Sequence, residues 1–292
     1  MRHSHTHDSA GSIRTAFFLN LAFTVVEIFG GLWTNSLAIL SDSIHDLGDS
    51  IALGLAWYLE REAQKEDDER FSYGYRRFSL LGALINTVIL VLGSLIILSE
   101  AVPRLIAPEP SNAPGMVLFA VLGILVNGAA VIRLRAGDAL NVRVVAWHLL
   151  EDVLGWVAVL IVSVILLFWN IQILDPILSI LITLYVLFNV LRNLRKTLAL
   201  FLQAVPESIE IDKLEERLAL IENVHSIHHT HAWSLDGFHH VLTTHVVVEE
   251  GTRIEQVLCV KEDIRNLVRD YGFSHITIDI EYGSSDCMMA WG

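Results

Sequence analysis

Apolar residues gather into six long stretches in the first two thirds of the chain, at residues 15–33, 36–59, 78–102, 115–132, 144–169 and 176–191. Each is long enough as a helix to cross about 30 Å of hydrocarbon at about 1.5 Å per residue, so six transmembrane helices are expected. Polar punctuation separates them: Thr34-Asn35, a charged segment at 60–77, a loop with Pro103, Pro108, Pro110 and Pro114, and short polar runs at 133–143 and 170–175. Beyond Pro206 the pattern changes. Residues 207–220 and 254–271 read as helices, the second stopped by Gly272, whereas 224–235, 241–248 and 275–282 read as strands, the first two joined through Asp236-Gly237. The last strand alternates, with Ile276, Ile278 and Ile280 against His275, Thr277, Asp279 and Glu281. The order αββαβ predicts a small α+β sandwich, three strands with helices on one face. The expected organisation is a His-rich tail at 1–14, a transmembrane domain at 15–200 and a water-exposed domain at 201–292.

Charge gives the bundle a direction. Thirteen of the fourteen bases before residue 201 lie in the two tails and in the loops on one side, against Arg104 alone on the other. That asymmetry places both termini in the cytoplasm of a multi-pass protein, with a bacterial inner membrane as the expected location. No basic region leads into a short apolar core at the start, so the first apolar run is expected to remain as a span. The formal net charge of −13 is concentrated at the end, where residues 201–292 carry 16 acids and 6 bases. Such a domain excludes nucleic acid as a partner, which asks for a basic face. Cys259 and Cys287 are the only cysteines and imply no disulfide framework.

The second and fifth spans contain groups that do not belong in hydrocarbon. A carboxylate at mid-membrane costs roughly 2.5 to 3.5 kcal/mol, so His45 with Asp49, and His148 with Asp152, need partners or a task. Each pair has i,i+4 spacing, which stacks an imidazole and a carboxylate on one helical face. Two such helices facing each other would supply two nitrogens and two oxygens, a set suited to a tetrahedral divalent metal. Asp46 and Glu151 fall off that face by helical phase, and Glu151 looks buried without a role. Asp42 shares the face of Asp49 and reads either as an ion guide or proton site, or as a helix-start cap. Glu27 in the first span reads as a proton or packing group.

With these residues in place the chain resembles the cation diffusion facilitator family of divalent-metal transporters over nearly its whole length. The resemblance rests on Glu27-Ile28-Phe29-Gly30, Asn35-Ser36-Leu37-Ala38, Asp42, His45 to Asp49, His148 to Asp152 and Asp175-Pro176. It implies a ferredoxin-like cytosolic domain, a homodimer, and a transport site made of His45, Asp49, His148 and Asp152 that releases its ion in exchange for protons. Nitrogen with oxygen in fourfold coordination favours Zn²⁺, while Cd²⁺ and Co²⁺ stay open as substrates. Protons compete for the same lone pairs, so a His/Asp site can trade metal for protons.

The resemblance also implies a cytosolic site. By family position His228, His245, Asp279 and Glu281 are its ligands, with His275 and Cys287 as further candidates and a regulatory Zn²⁺ stabilising the dimer. Alternation puts His229 and His231 on one face and His228 on the other, unless a bulge intervenes. A further family site in the loop between spans two and three is expected to be absent, because Phe71 and Tyr75 stand where histidines would be. An intramembrane metalloenzyme is disfavoured because His-Glu-x-x-His is missing, so no enzyme and no cofactor are expected. A membrane-anchored metal sensor remains as a rival, although a sensor would not need four ligands inside the membrane.

Overall fold

The computed structural model describes residues 6–63, 65, 67–134 and 140–283. Six long helices come first: α1 (Thr6–Thr34), α2 (Leu37–Ala63), α3 (Phe78–Ile106), α4 (Ala113–Leu134), α5 (Leu140–Phe168) and α6 (Leu174–Phe201). Then follow α7 (Ile211–Ala219), β1 (Val224–Ser234), β2 (His240–Val248), α8 (Ile254–Val268) and β3 (Phe273–Tyr282). Five of the six long helices are apolar enough to cross a membrane by composition. The sixth, α2, is long enough but carries Asp42, Asp46 and Asp49. Asp49 among them is a candidate ligand.

Contacts divide the chain into two units, Met1–Glu60 with Gly82–Leu194, and Arg61–Leu81 with Arg195–Gly292. In the first, Trp156 is fully buried among Ala38, Ile39, Met116, Ala120 and Val159. Its indole rests on Gly123, where an added Cβ would come within 2.2 Å of the ring. Helices α2 and α3 approach through reciprocal glycines, Leu90 lying over Gly48 and Ile44 over Gly93. Small residues let membrane helices pack closely where lipid supplies no hydrophobic drive. Polar bonds tie α1 to α2: the Asn20 amide donates to the Asp46 carbonyl (3.1 Å) and to Ser50 Oγ (3.0 Å).

Several predicted boundaries move: α1 starts at Thr6 rather than 15 and α6 runs to Phe201 rather than 191, and two other shifts have a visible cause. Pro103 does not end the third span, since α3 runs on to Ile106 and Ala107 N–H closes a bond on the Pro103 carbonyl (3.0 Å). A proline lacks only its own N–H, so the next turn can still form. Conversely α7 starts at Ile211 rather than 207, because Ile209 N–H turns back to the Pro206 carbonyl (2.9 Å) before the helix begins.

In the second unit β2 is central, antiparallel to β1 and parallel to β3. The parallel pair is joined through α8, as a parallel connection requires a crossover. Leu214, Leu218, Leu242, Val246, Val260 and Ile264 form the core between helices and sheet. Ile276, Ile278 and Ile280 pack against it, which leaves the other sheet face for polar residues.

Candidate metal centre

On α2, His45 Nε2 lies 3.8 Å from Asp49 Oδ2, the i,i+4 pair that the spacing predicts, with both side chains about a quarter exposed. Asp152 is half-buried on α5 and acts electrostatically on Asp42 and Glu27. Gly155, one turn further on, faces Asp42 Oδ1 at 3.7 Å from an added Cβ, so this face of α5 is turned to α2. The His148 side chain lies outside the described residues. Among the described residues His45, Asp49 and Asp152 do not draw together into one ligand cluster.

Around this pair stands a buried acid group that sequence phase only half revealed. Asp46 points away from the His45 face, but inward, with the Glu27 carboxyl of α1 within hydrogen-bonding reach. Glu27 is fully buried. Asp42 is buried within α2 and is no helix cap. The cap comes from elsewhere: Asp175 of α6 accepts from Ser36 Oγ (2.5 Å), Leu37 N–H (2.8 Å) and Ala38 N–H (3.3 Å). A carboxylate at a helix N-terminus satisfies orphan donors and suits the dipole. Glu151, expected buried, is exposed and accepts from the Tyr185 hydroxyl of α6 at 3.1 Å.

The cytosolic candidates divide. His228 and His245 are direct cross-strand partners and share the sheet face opposite the helices. Glu281 joins them from β3, its Oε1 at 2.8 Å from His245 Nδ1 and its Oε2 at 3.2 Å from His228 Nε2. One donor atom from each lies within 4.8 Å of the others. This convergence depends on an irregularity in β1 between His228 and His231, where His229 takes a left-handed φ of 48°. The bulge shifts the alternation. Asp279 pairs with His245 in register yet stays exposed and outside the trio. His275 is exposed too, its ring set edge-on to Tyr73 at 5.2 Å. Cys287 lies outside the described residues.

In the loop before α3, Tyr75 donates its hydroxyl to Asp68 Oδ2 (2.7 Å), and Asp68 Oδ1 accepts from the N–H groups of Phe71 and Arg70. These donors, the tyrosine first, hold the Asp68 carboxyl below its usual range. The acid is engaged in shaping the loop. Tyr75→Phe is accordingly expected to change metal transport by no more than about twofold, as for a substitution away from the ion's path; a large loss in a vesicle uptake assay would show that the loop takes part in transport.

Long apolar helices, one of them carrying buried acids and a histidine, define a polytopic membrane protein built to pass a cation, and the ββ pair with its His/Glu cluster is a soluble appendage suited to the same ion. The chain belongs to the cation efflux family: residues 13–202 match the cation efflux transmembrane domain and 206–282 the cytoplasmic domain of cation efflux proteins, the family's dimerisation domain. It is a transporter of the inner membrane and forms a homodimer through that class of domain. Among curated relatives, the zinc transporter ZitB of Pectobacterium atrosepticum is 33% identical, over 98% of this chain and 91% of its own. The ZitB of Escherichia coli K12 is 34% identical over 97% and 93%. A cadmium, cobalt and zinc/H(+)-K(+) antiporter of Bacillus velezensis is 30% identical over 96% and 92%.

Proposed function

We propose that this protein exports Zn²⁺ from the cytoplasm in exchange for protons, binding the ion between α2 and α5 through His45, Asp49, His148 and Asp152. The observation that carries this reading is the His45–Asp49 pair on α2, held where the α5 face with Asp152 and Gly155 turns to it. Its support from relatives is that two are named zinc transporters and a third an antiporter for cadmium, cobalt and zinc. Metal binding gathers these side chains from α2 and α5 around one ion. Proton loss from imidazole and carboxyl accompanies capture, and proton return accompanies release. Both termini face the cytoplasm in this reading, so the metal leaves the side on which the terminal domain sits.

The test is Zn²⁺ uptake into inside-out vesicles under an imposed pH gradient. Uptake should require the gradient and collapse when it is dissipated; accumulation indifferent to the gradient would sink the exchange mechanism. Running Cd²⁺ and Co²⁺ in parallel decides the substrate, and equal rates for all three would overturn a zinc preference.

In the terminal domain, His228, His245 and Glu281 would hold a regulatory Zn²⁺, and their two nitrogens and one oxygen suit that ion. Replacing His245 by Ala is expected to weaken this site by about tenfold or more, since one of three protein ligands is lost. Titration calorimetry of the full chain with Zn²⁺ should show one binding event per chain disappearing; an unchanged isotherm would reject the trio as ligands.

A further inference from the structure

Within the second unit, the loop after α2, the first turn of α3 and the end of β1 enclose a groove of about 370 Å³. Three arginines line it, Arg70, Arg76 and Arg77. Among the described residues Arg76 pairs with Asp236 alone, at a long 3.8 Å. Arg70 and Arg77 have no ion pair with any described residue. Three arginines gathered on one groove mark a place for an anion.

The rest of the wall is apolar and aromatic. Phe78 and Leu81 come from the first turn of α3, Phe201 from the last of α6, and Trp233 from β1. Leu81 and Phe201 are each more than a third exposed. The α3 and α6 helices have 29 and 28 residues, whereas about 20 suffice to cross the hydrocarbon, so their end turns emerge at the level of lipid headgroups. Arginine matches a phosphodiester with its planar fork, and aromatic residues favour the same interfacial level. An apolar wall continuing onto two membrane helices accommodates acyl chains, which a free phosphate does not have.

We propose that this groove is a binding site for the headgroup phosphate of an anionic phospholipid, held by Arg70, Arg76 and Arg77 with its acyl chains along Phe78, Leu81 and Phe201. The site is independent of metal, so its test needs no transport. The full chain is delipidated in detergent, then offered phosphatidylglycerol or zwitterionic phosphatidylcholine, and bound lipid is counted by native mass spectrometry. Wild type should retain phosphatidylglycerol over phosphatidylcholine by about tenfold or more, as expected when two or three cations act near one headgroup. The double variant Arg70→Gln/Arg77→Gln should lose that preference, while Arg192→Gln/Arg195→Gln, which removes the same charge outside the groove, should keep it. No preference in wild type would overturn the site whether or not the variant folds. An equal loss in the control variant would also overturn it, by showing diffuse electrostatics. Displacement of the bound lipid by millimolar inorganic phosphate would reject a lipid in favour of a free anion.

Discussion

Asp49→Ala and Asp152→Ala are each expected to lower the initial rate of Zn²⁺ accumulation in inside-out vesicles by about 100-fold or more. A carboxylate ligand supplies both charge and a coordinating oxygen to a doubly charged ion leaving water, and losing second-shell partners alone costs about 10-fold to 100-fold in affinity. Asp46 is turned toward Glu27, and Asp42 lies within α2 beside Gly155 of α5. Asp49→Asn, which keeps shape and loses charge, should be nearly as damaging as Asp49→Ala. Glu151→Gln is the matching control, since that acid is exposed and bonded to Tyr185, and its rate should stay within about twofold of wild type. Transport surviving both aspartate changes would show that the ion passes elsewhere.

Asp175→Ala is expected to destabilise the bundle by about 3 kcal/mol, since it removes a helix cap and strands buried donors. The carboxylate is almost fully buried and satisfies Ser36 Oγ and the N–H groups of Leu37 and Ala38 together. Because α2 carries His45 and Asp49, fraying of its first turns should also slow transport. Asp175→Asn retains one acceptor oxygen and should fall between wild type and Ala. Thermal unfolding in detergent, followed by tryptophan fluorescence and size exclusion, measures this; an unchanged midpoint in Asp175→Ala would show that the cap is dispensable.

Much of this architecture was legible along the chain, and the reasons differ by element. Membrane helices must satisfy their own backbone bonds, so about 20 apolar residues imply a helix almost without regard to context. The αββαβ order followed from Asp236-Gly237, Gly272 and the alternation of Ile276, Ile278 and Ile280. The His45–Asp49 pair was legible because i,i+4 geometry is local. The misjudged residues depend on neighbours far along the chain. Glu151 looked buried because its flanks are apolar, yet its phase puts it on the outside with Tyr185, 34 residues away. Nothing near Asp42 in the chain tells that the cap of α2 is Asp175, more than 130 residues later.

The sequence by itself determined the spans, the αββαβ order and the residue types able to ligate a divalent ion, because length, period and side-chain chemistry are properties of short segments. Only the tertiary structure decided that Asp46 faces Glu27, that α2 is capped from α6, and that a bulge at His229 brings His228 to His245 and Glu281 while leaving Asp279 outside. The physical reason is one of range. A helix or strand sets the angle at which each side chain leaves its own axis, but which group it meets depends on how a second element is rotated against it. That rotation is chosen by packing, at Gly48 and Leu90, at Gly93 and Ile44, and at Gly123 and Trp156.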